Sequence, residues 1–132
     1  MRLVTYGIAA VGLAAAVLTS GASAQSPAGG DAARGEQLYQ SRCGACHSLD
    51  ANRVGPRHRG VVGRRVASVS GYRYSAALQA RAFVWDEPRL DQWLENPTAL
   101  VPGTAMGVRV PKAQDRADII AYLRDQRVAA SP

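Results

Sequence analysis

The sequence predicts an all-α domain whose helices are joined by long irregular connections, and three observations carry that prediction. Apolar residues recur at helical spacing in separate stretches opened by a capping residue or closed by a proline, as in Leu90, Trp93 and Leu94 between Asp86 and Pro97. No segment alternates apolar and polar residues in the way a half-buried strand requires. Between the helical stretches, Leu49 to Tyr74 holds Gly55, Pro56, Gly60, Gly63 and Gly71 and shows little helical period, so it reads as a long shaped loop. A loop of that length inside a small domain needs something to wrap around.

The elements follow in order. Arg2, the apolar run Leu3 to Leu18 and Ala22-Ser23-Ala24 before Gln25 read as a secretory leader over 1–24, cleaved after Ala24. Retention as an anchor is the alternative, but an apolar run of 16 residues spans only about 24 Å against a hydrocarbon core of roughly 30 Å. Residues 25–30 form a flexible lead, and 31–132 a single domain. Asp31 caps a first helix of about three turns that turns Leu38 and Tyr39 inward and ends around Cys43 to Cys46. Tyr74 to Arg81 holds a short helix, and Asp86 caps the next, with Pro88 tolerated in its first turn and Pro97 beyond its end. Pro97 to Pro111 reads as loop. The last helix, Ala113 to Arg127, presents Ile119, Ile120, Tyr122 and Leu123 on its apolar side and Arg124 and Arg127 at the negative end of its dipole.

Both cysteines of the chain fall in Cys43-Gly44-Ala45-Cys46-His47. Two thiols that add across the vinyl groups of a haem, followed at once by an imidazole able to ligate the iron, are what c-type haem attachment requires. On the last turn of a helix Cys43 and Cys46, at i and i+3, point to one side and carry His47 under the porphyrin plane. A thiol-disulfide redox centre, a zinc site completed by His58, and a plain structural disulfide are the competing readings. The redox enzyme expects a βαβ context that the following segment does not offer. Met106, apart from the initiator the sole methionine, lies in Pro102-Gly103-Thr104-Ala105-Met106-Gly107. A lone methionine is ordinarily core filling; in a Gly- and Pro-rich loop it also suits a side chain held at fixed reach, and with His47 it makes a ligand pair that favours reduced iron.

Many residues in order resemble class I cytochromes c of the mitochondrial-type and bacterial cytochrome c2 group. They are Gly35 and Tyr39; Cys43, Cys46 and His47; Gly55-Pro56; Val62-Gly63-Arg64; Gly71-Tyr72-Arg73-Tyr74-Ser75; Trp85; Leu94-Glu95-Asn96-Pro97; Val101-Pro102-Gly103-Thr104 with Met106; and Ile120-Ala121-Tyr122-Leu123. The resemblance implies the cytochrome c fold, with three to five helices wrapped by long loops around one covalently bound haem c per chain and the first and last helices crossing at Gly35. It implies Cys43 and Cys46 as the attachment points and His47 and Met106 as axial iron ligands. By the same resemblance Pro56 orients His47 through its carbonyl, and Arg64, Tyr74 and Trp85 surround the haem propionates. Trp93 and Thr104 join the cofactor environment. The chain departs from the family at Trp93, where relatives commonly place Tyr, at Leu78 for Asn, at Ala105 for Lys and at Val108 for an aromatic lid. His58 reads as a surface or loop histidine.

Sixteen basic and ten acidic residues give a formal +6, and loss of Arg2 with the leader leaves +5. No basic and aromatic interleaving of an RNA-binding kind is present, so nucleic acid is excluded as partner, and electrostatic steering toward acidic redox proteins is expected instead. Lys112 is the single lysine, so the lysine ring of many relatives is not reproduced; Arg57, Arg59, Arg64 and Arg65 cluster in sequence. The expected protein is a soluble, monomeric periplasmic one-electron carrier without stable membrane insertion. The resemblance implies a bc1 complex, a terminal oxidase or a photosynthetic reaction centre as partners. With both axial positions filled, catalysis in the strict sense is not expected. Two alternatives are a haem subunit fed by an exported dehydrogenase and a membrane-anchored cytochrome if the leader is retained.

Overall fold

Five helices follow one another in the computed structural model, which describes residues 29–126: α1 (Ala32–Arg42), α2 (Ala76–Gln79), α3 (Glu87–Glu95), α4 (Pro97–Leu100) and α5 (Ala113–Asp125). The leader over 1–24, most of the lead over 25–30 and the chain from Arg127 onward lie outside the described residues. Among the described residues no strand forms, and Arg65 and Val84 make one isolated antiparallel bridge. The all-α prediction therefore stands.

The helices begin where a short polar side chain can take the free N–H groups of a first turn. Asp31 accepts from the amides of Ala33 (2.9 Å) and Arg34 (3.1 Å), Ser75 from Leu78 (3.3 Å) and Asp86 from Arg89 (2.8 Å). The short helix expected over Tyr74 to Arg81 condenses to α2 alone. One expectation is corrected: Pro97 to Pro111 is not loop throughout. Asn96 ends α3 and its side chain also accepts from the Ala99 amide at 3.3 Å, so with Pro97 in the first turn it starts α4.

α1 and α5 form the most extensive helix pair, with α3 packed on α5 and α4 on α3. Gly35 makes the crossing possible, because a Cβ there would overlap the carbonyl of Asp118. Tyr39 packs its ring 5.4 Å from that of Tyr122. The predicted apolar side of α5 is buried, with Ile119 fully enclosed. Burial goes further than the periodicity shows, since Asp115, Arg116 and Asp118 are enclosed as well. Charge is tolerable there because it is paired. Asp118 accepts from the Asp31 amide (2.7 Å) and the Gln114 amide (2.8 Å) and pairs with Arg34, which also meets Asp115 at 2.5 Å. Arg116 reaches Asp91 at 2.7 Å and the carbonyls of Val110 and Pro111.

Candidate haem-binding site

The Cys43 to His47 segment turns directly off the end of α1. The Cys43 amide bonds the Tyr39 carbonyl at 2.8 Å, and the amides of Cys46 and His47 both bond the Cys43 carbonyl, at 3.0 and 2.9 Å. This turn presents both unbridged thiols and the imidazole to one cavity of about 520 Å³, within the roughly 300–1,000 Å³ of small-molecule and cofactor sites. The next loop is pinned back onto the motif by the Gly55 amide on the Cys46 carbonyl at 2.8 Å. It carries the Pro56 carbonyl to 2.8 Å from His47 Nδ1, so that nitrogen is the donor and Nε2 is left to face a ligand. Gly55 lies so close over the imidazole that a Cβ there would be driven into the ring.

The rest of the chain closes the cavity. α3 contributes Leu90, Trp93 and Leu94, and the loop after α4 contributes Thr104 and Met106. The Gly63 amide on the Trp85 carbonyl and the Trp85 amide on the Arg64 carbonyl, both 2.8 Å, set Arg64 and Trp85 along one wall. Trp85 and Trp93 meet edge to face at 5.1 Å. The Arg64 guanidinium donates to the carbonyls of Arg57 (2.8 Å) and Arg59, and the Tyr74 hydroxyl accepts from the Val69 amide at 3.2 Å. Cys43, Cys46, His47, Pro56, Arg64, Tyr74, Trp85, Trp93, Thr104 and Met106 all line this single cavity. Every site residue expected from the sequence is thereby brought together.

The lining suits a haem on chemical grounds. It is mostly apolar; its charged members are Arg42, Arg64 and Arg73, with no acidic side chain among them. Such a cleft accepts a large apolar macrocycle and favours the carboxylates on its edge. Thr104 Oγ1 is buried without a hydrogen-bond partner, a state that costs about 1–3 kcal/mol unless something supplies one. The competing readings fare worse. Burial pushes the Cys43 thiol up to about 11, opposite to the lowered value of a redox-active Cys-x-x-Cys pair. Among the described residues no group of three or more His, Cys, Asp and Glu side chains converges to hold an ion, as a zinc site would need. Burial also lowers the His47 value, the Pro56 bond opposing in part, which keeps the imidazole neutral and able to ligate.

One residue of the site escaped the sequence reading. His58 belongs to the loop, as expected, and is half-buried, its ring lying nearly parallel to that of His47 with centroids 3.9 Å apart and planes 18° apart. Its Nδ1 sits 3.2 Å from the Tyr39 hydroxyl. Burial, then the neighbouring His47 and Arg64, push its value well below that of an ordinary histidine. Its place two residues beyond Pro56 was the signal available.

Comparison with known proteins agrees with this geometry. The sequence model of the cytochrome c family matches residues 32–127. The chain is 48% identical over 96 residues to cytochrome c-type cyt cy of Rhodobacter capsulatus, covering 71% of this chain and 48% of that protein. It thus spans about half the length of that relative. It is 44% identical over 110 residues to cytochrome c2 of Rhodomicrobium vannielii, covering 79% of this chain and 86% of that one. Among solved structures, cytochrome cH from Methylobacterium extorquens superposes with a TM-score of 0.70 at 42% identity, over 73% of this chain and 99% of that chain.

Proposed function

The chain belongs to the cytochrome c family, whose members hold one covalently attached haem c, and on that premise we propose that it is a freely diffusing one-electron carrier of the periplasm. The observation that carries the proposal is the convergence of Cys43, Cys46 and His47 from the end of α1 with Met106 from the loop before α5 on one apolar cavity. Haem c, when bound, supplies the one-electron couple; the protein supplies attachment, orientation and exclusion of water. Cys43 and Cys46 would hold it through thioethers, and His47 Nε2 and the Met106 sulfur would ligate its iron. The Pro56 carbonyl fixes the His47 ring. Arg64, Tyr74 and Trp85 would surround its propionates, and the Thr104 hydroxyl, buried in the same cavity without a partner, would be free to bond the group. Trp93 lines the same cavity as Met106. Were His47 and Met106 both to ligate the iron, no open coordination position would remain for peroxide or oxygen, which supports a carrier rather than an enzyme.

Export rests on the leader over 1–24. Among the described residues no helix is long and apolar enough to cross a membrane. Acidic redox partners are supported by charge distribution. Asp118 pairs with Arg34, Asp91 with Arg116 and Glu87 with Arg124, and Asp115 bridges Arg34 and Arg42, while the charged groups lining the cavity are all arginines. Exposed Val54 and Val108 lie among the lining residues, so a docking partner meets apolar surface inside a cationic setting. A bc1 complex, a terminal oxidase or a photosynthetic reaction centre fits as donor or acceptor.

The test is visible absorption of the oxidised holoprotein matured with its haem. The weak red band of thioether-to-ferric-iron charge transfer is expected in the native protein and absent in Met106→Ala. Persistence of that band in the substituted protein rejects Met106 as ligand.

A further inference from the structure

We propose that His58 is a positioning residue for the axial imidazole, setting the rotation of the His47 ring about its bond to the iron; this rests on His47 being the iron ligand, as assigned above. The Pro56 carbonyl holds Nδ1 at 2.8 Å and so fixes where that edge of the ring points. A single hydrogen bond nevertheless leaves the ring able to rock about the line from Nδ1 to the oxygen. A flat neighbour removes that freedom. With the two imidazoles 3.9 Å apart and inclined by only 18°, any rotation of His47 out of the stack drives its edge into His58.

His58 can act as a fixed plane because it is itself held at two points. Its amide donates to the Ser48 carbonyl at 2.9 Å, and its Nδ1 lies 3.2 Å from the hydroxyl of Tyr39. Tyr39 is a buried residue of α1 whose ring packs on Tyr122 of α5. The constraint therefore runs from the helix crossing through Tyr39 and His58 to His47. An aliphatic side chain at 58 fills the space but offers no plane to stack on and no partner for the Tyr39 hydroxyl. The consequence is electronic as well as mechanical. In a low-spin ferric haem the plane of the axial imidazole selects the direction of the half-filled iron orbital, and with it the edge of the macrocycle that carries unpaired spin.

The experiment is proton NMR of the ferric holoprotein, reading the hyperfine-shifted haem methyl resonances, with the red absorption band recorded on the same samples. His58→Leu is expected to change the spread and order of the methyl shifts while keeping the red band. His58→Phe, which restores a flat ring, is expected to keep the native order. Tyr39→Phe, which releases Nδ1 but leaves the stack, is expected to move the shifts in the same sense by less. An unchanged methyl pattern in His58→Leu, or a deviation in His58→Phe as large as in His58→Leu, overturns the proposal. Should His58→Leu not be recovered folded, Tyr39→Phe decides, and methyl shifts that do not move there overturn it equally. A native protein without the red band instead removes the ligand assignment on which the proposal rests, so the two failures are distinguishable.

Discussion

Gly35→Ala sets two opposing effects against each other at one position of α1. Alanine is favoured over glycine in a helix interior by about 0.5–1 kcal/mol through backbone entropy alone. At position 35 the added Cβ overlaps the carbonyl of Asp118 and lies 3.0 Å from Tyr122 Cβ, and a helix backbone cannot swing aside as a flexible side-chain end can. α1 must shift off α5, which loosens the Tyr39–Tyr122 packing and strains the bonds from the Asp31 amide and Arg34 to Asp118. Overpacking costs about 1–3 kcal/mol, and contact with backbone puts this case toward the upper end. Less the propensity gain, the net loss is about 2 kcal/mol. At roughly 4–8 °C per kcal/mol for a domain of this size, the melting temperature falls by about 10 °C. The assay is urea unfolding and calorimetry of the ferric holoprotein, with Gln37→Ala and Gln37→Gly as controls at an exposed position of the same helix. At position 37 alanine must be the more stable of the two; at position 35 the order must reverse. A Gly35→Ala protein as stable as the native one, or more stable by the margin seen at position 37, refutes the close crossing.

Gly55→Ala drives a methyl group into the His47 ring, so it is expected to break the bond to Pro56 and to cost about 1–3 kcal/mol; a thermal melt and the ferric spectrum check it, and a native spectrum with a native melt counts against the packing described. The Asp118 carboxyl sits below the usual carboxylate range. Burial alone raises it, but bonds from the Asp31 amide, the Gln114 amide and Arg34 more than offset that. A value lowered by folding contributes stability that is present above the unfolded value of about 4 and lost as pH falls through the folded one. Asp118→Asn is therefore expected to lower stability at neutral pH by on the order of 2 kcal/mol and to flatten the acid limb of stability against pH, measured by urea midpoints. Retention of the full acid limb in the variant shows that Asp118 is not its source.

Legibility in the sequence divides along a physical line. Asp31 and Asp86 were readable because a cap and the helix it opens are adjacent, and both accept first-turn amides as expected. Cys43, Cys46 and His47 were readable because one turn gathers them. α4 was missed because Asn96 and Pro97 serve two helices at once, ending α3 and opening the next, and the stop signal hides the start signal. Asp115, Arg116 and Asp118 were missed because helical periodicity reports which side prefers solvent. Their partners Arg34 and Asp91 stand on other helices, and no local window holds that information. His58 belongs to the same class. The bonds from the Gly55, His58 and Arg59 amides to the carbonyls of Cys46, Ser48 and Leu49 fold the loop back along the segment that carries the haem motif. That path alone brings a ring two residues beyond Pro56 flat onto the imidazole that Pro56 holds. A residue that looks ordinary in the sequence thus reaches His47 through loop geometry, of which its place two residues beyond Pro56 is the sole trace in the sequence.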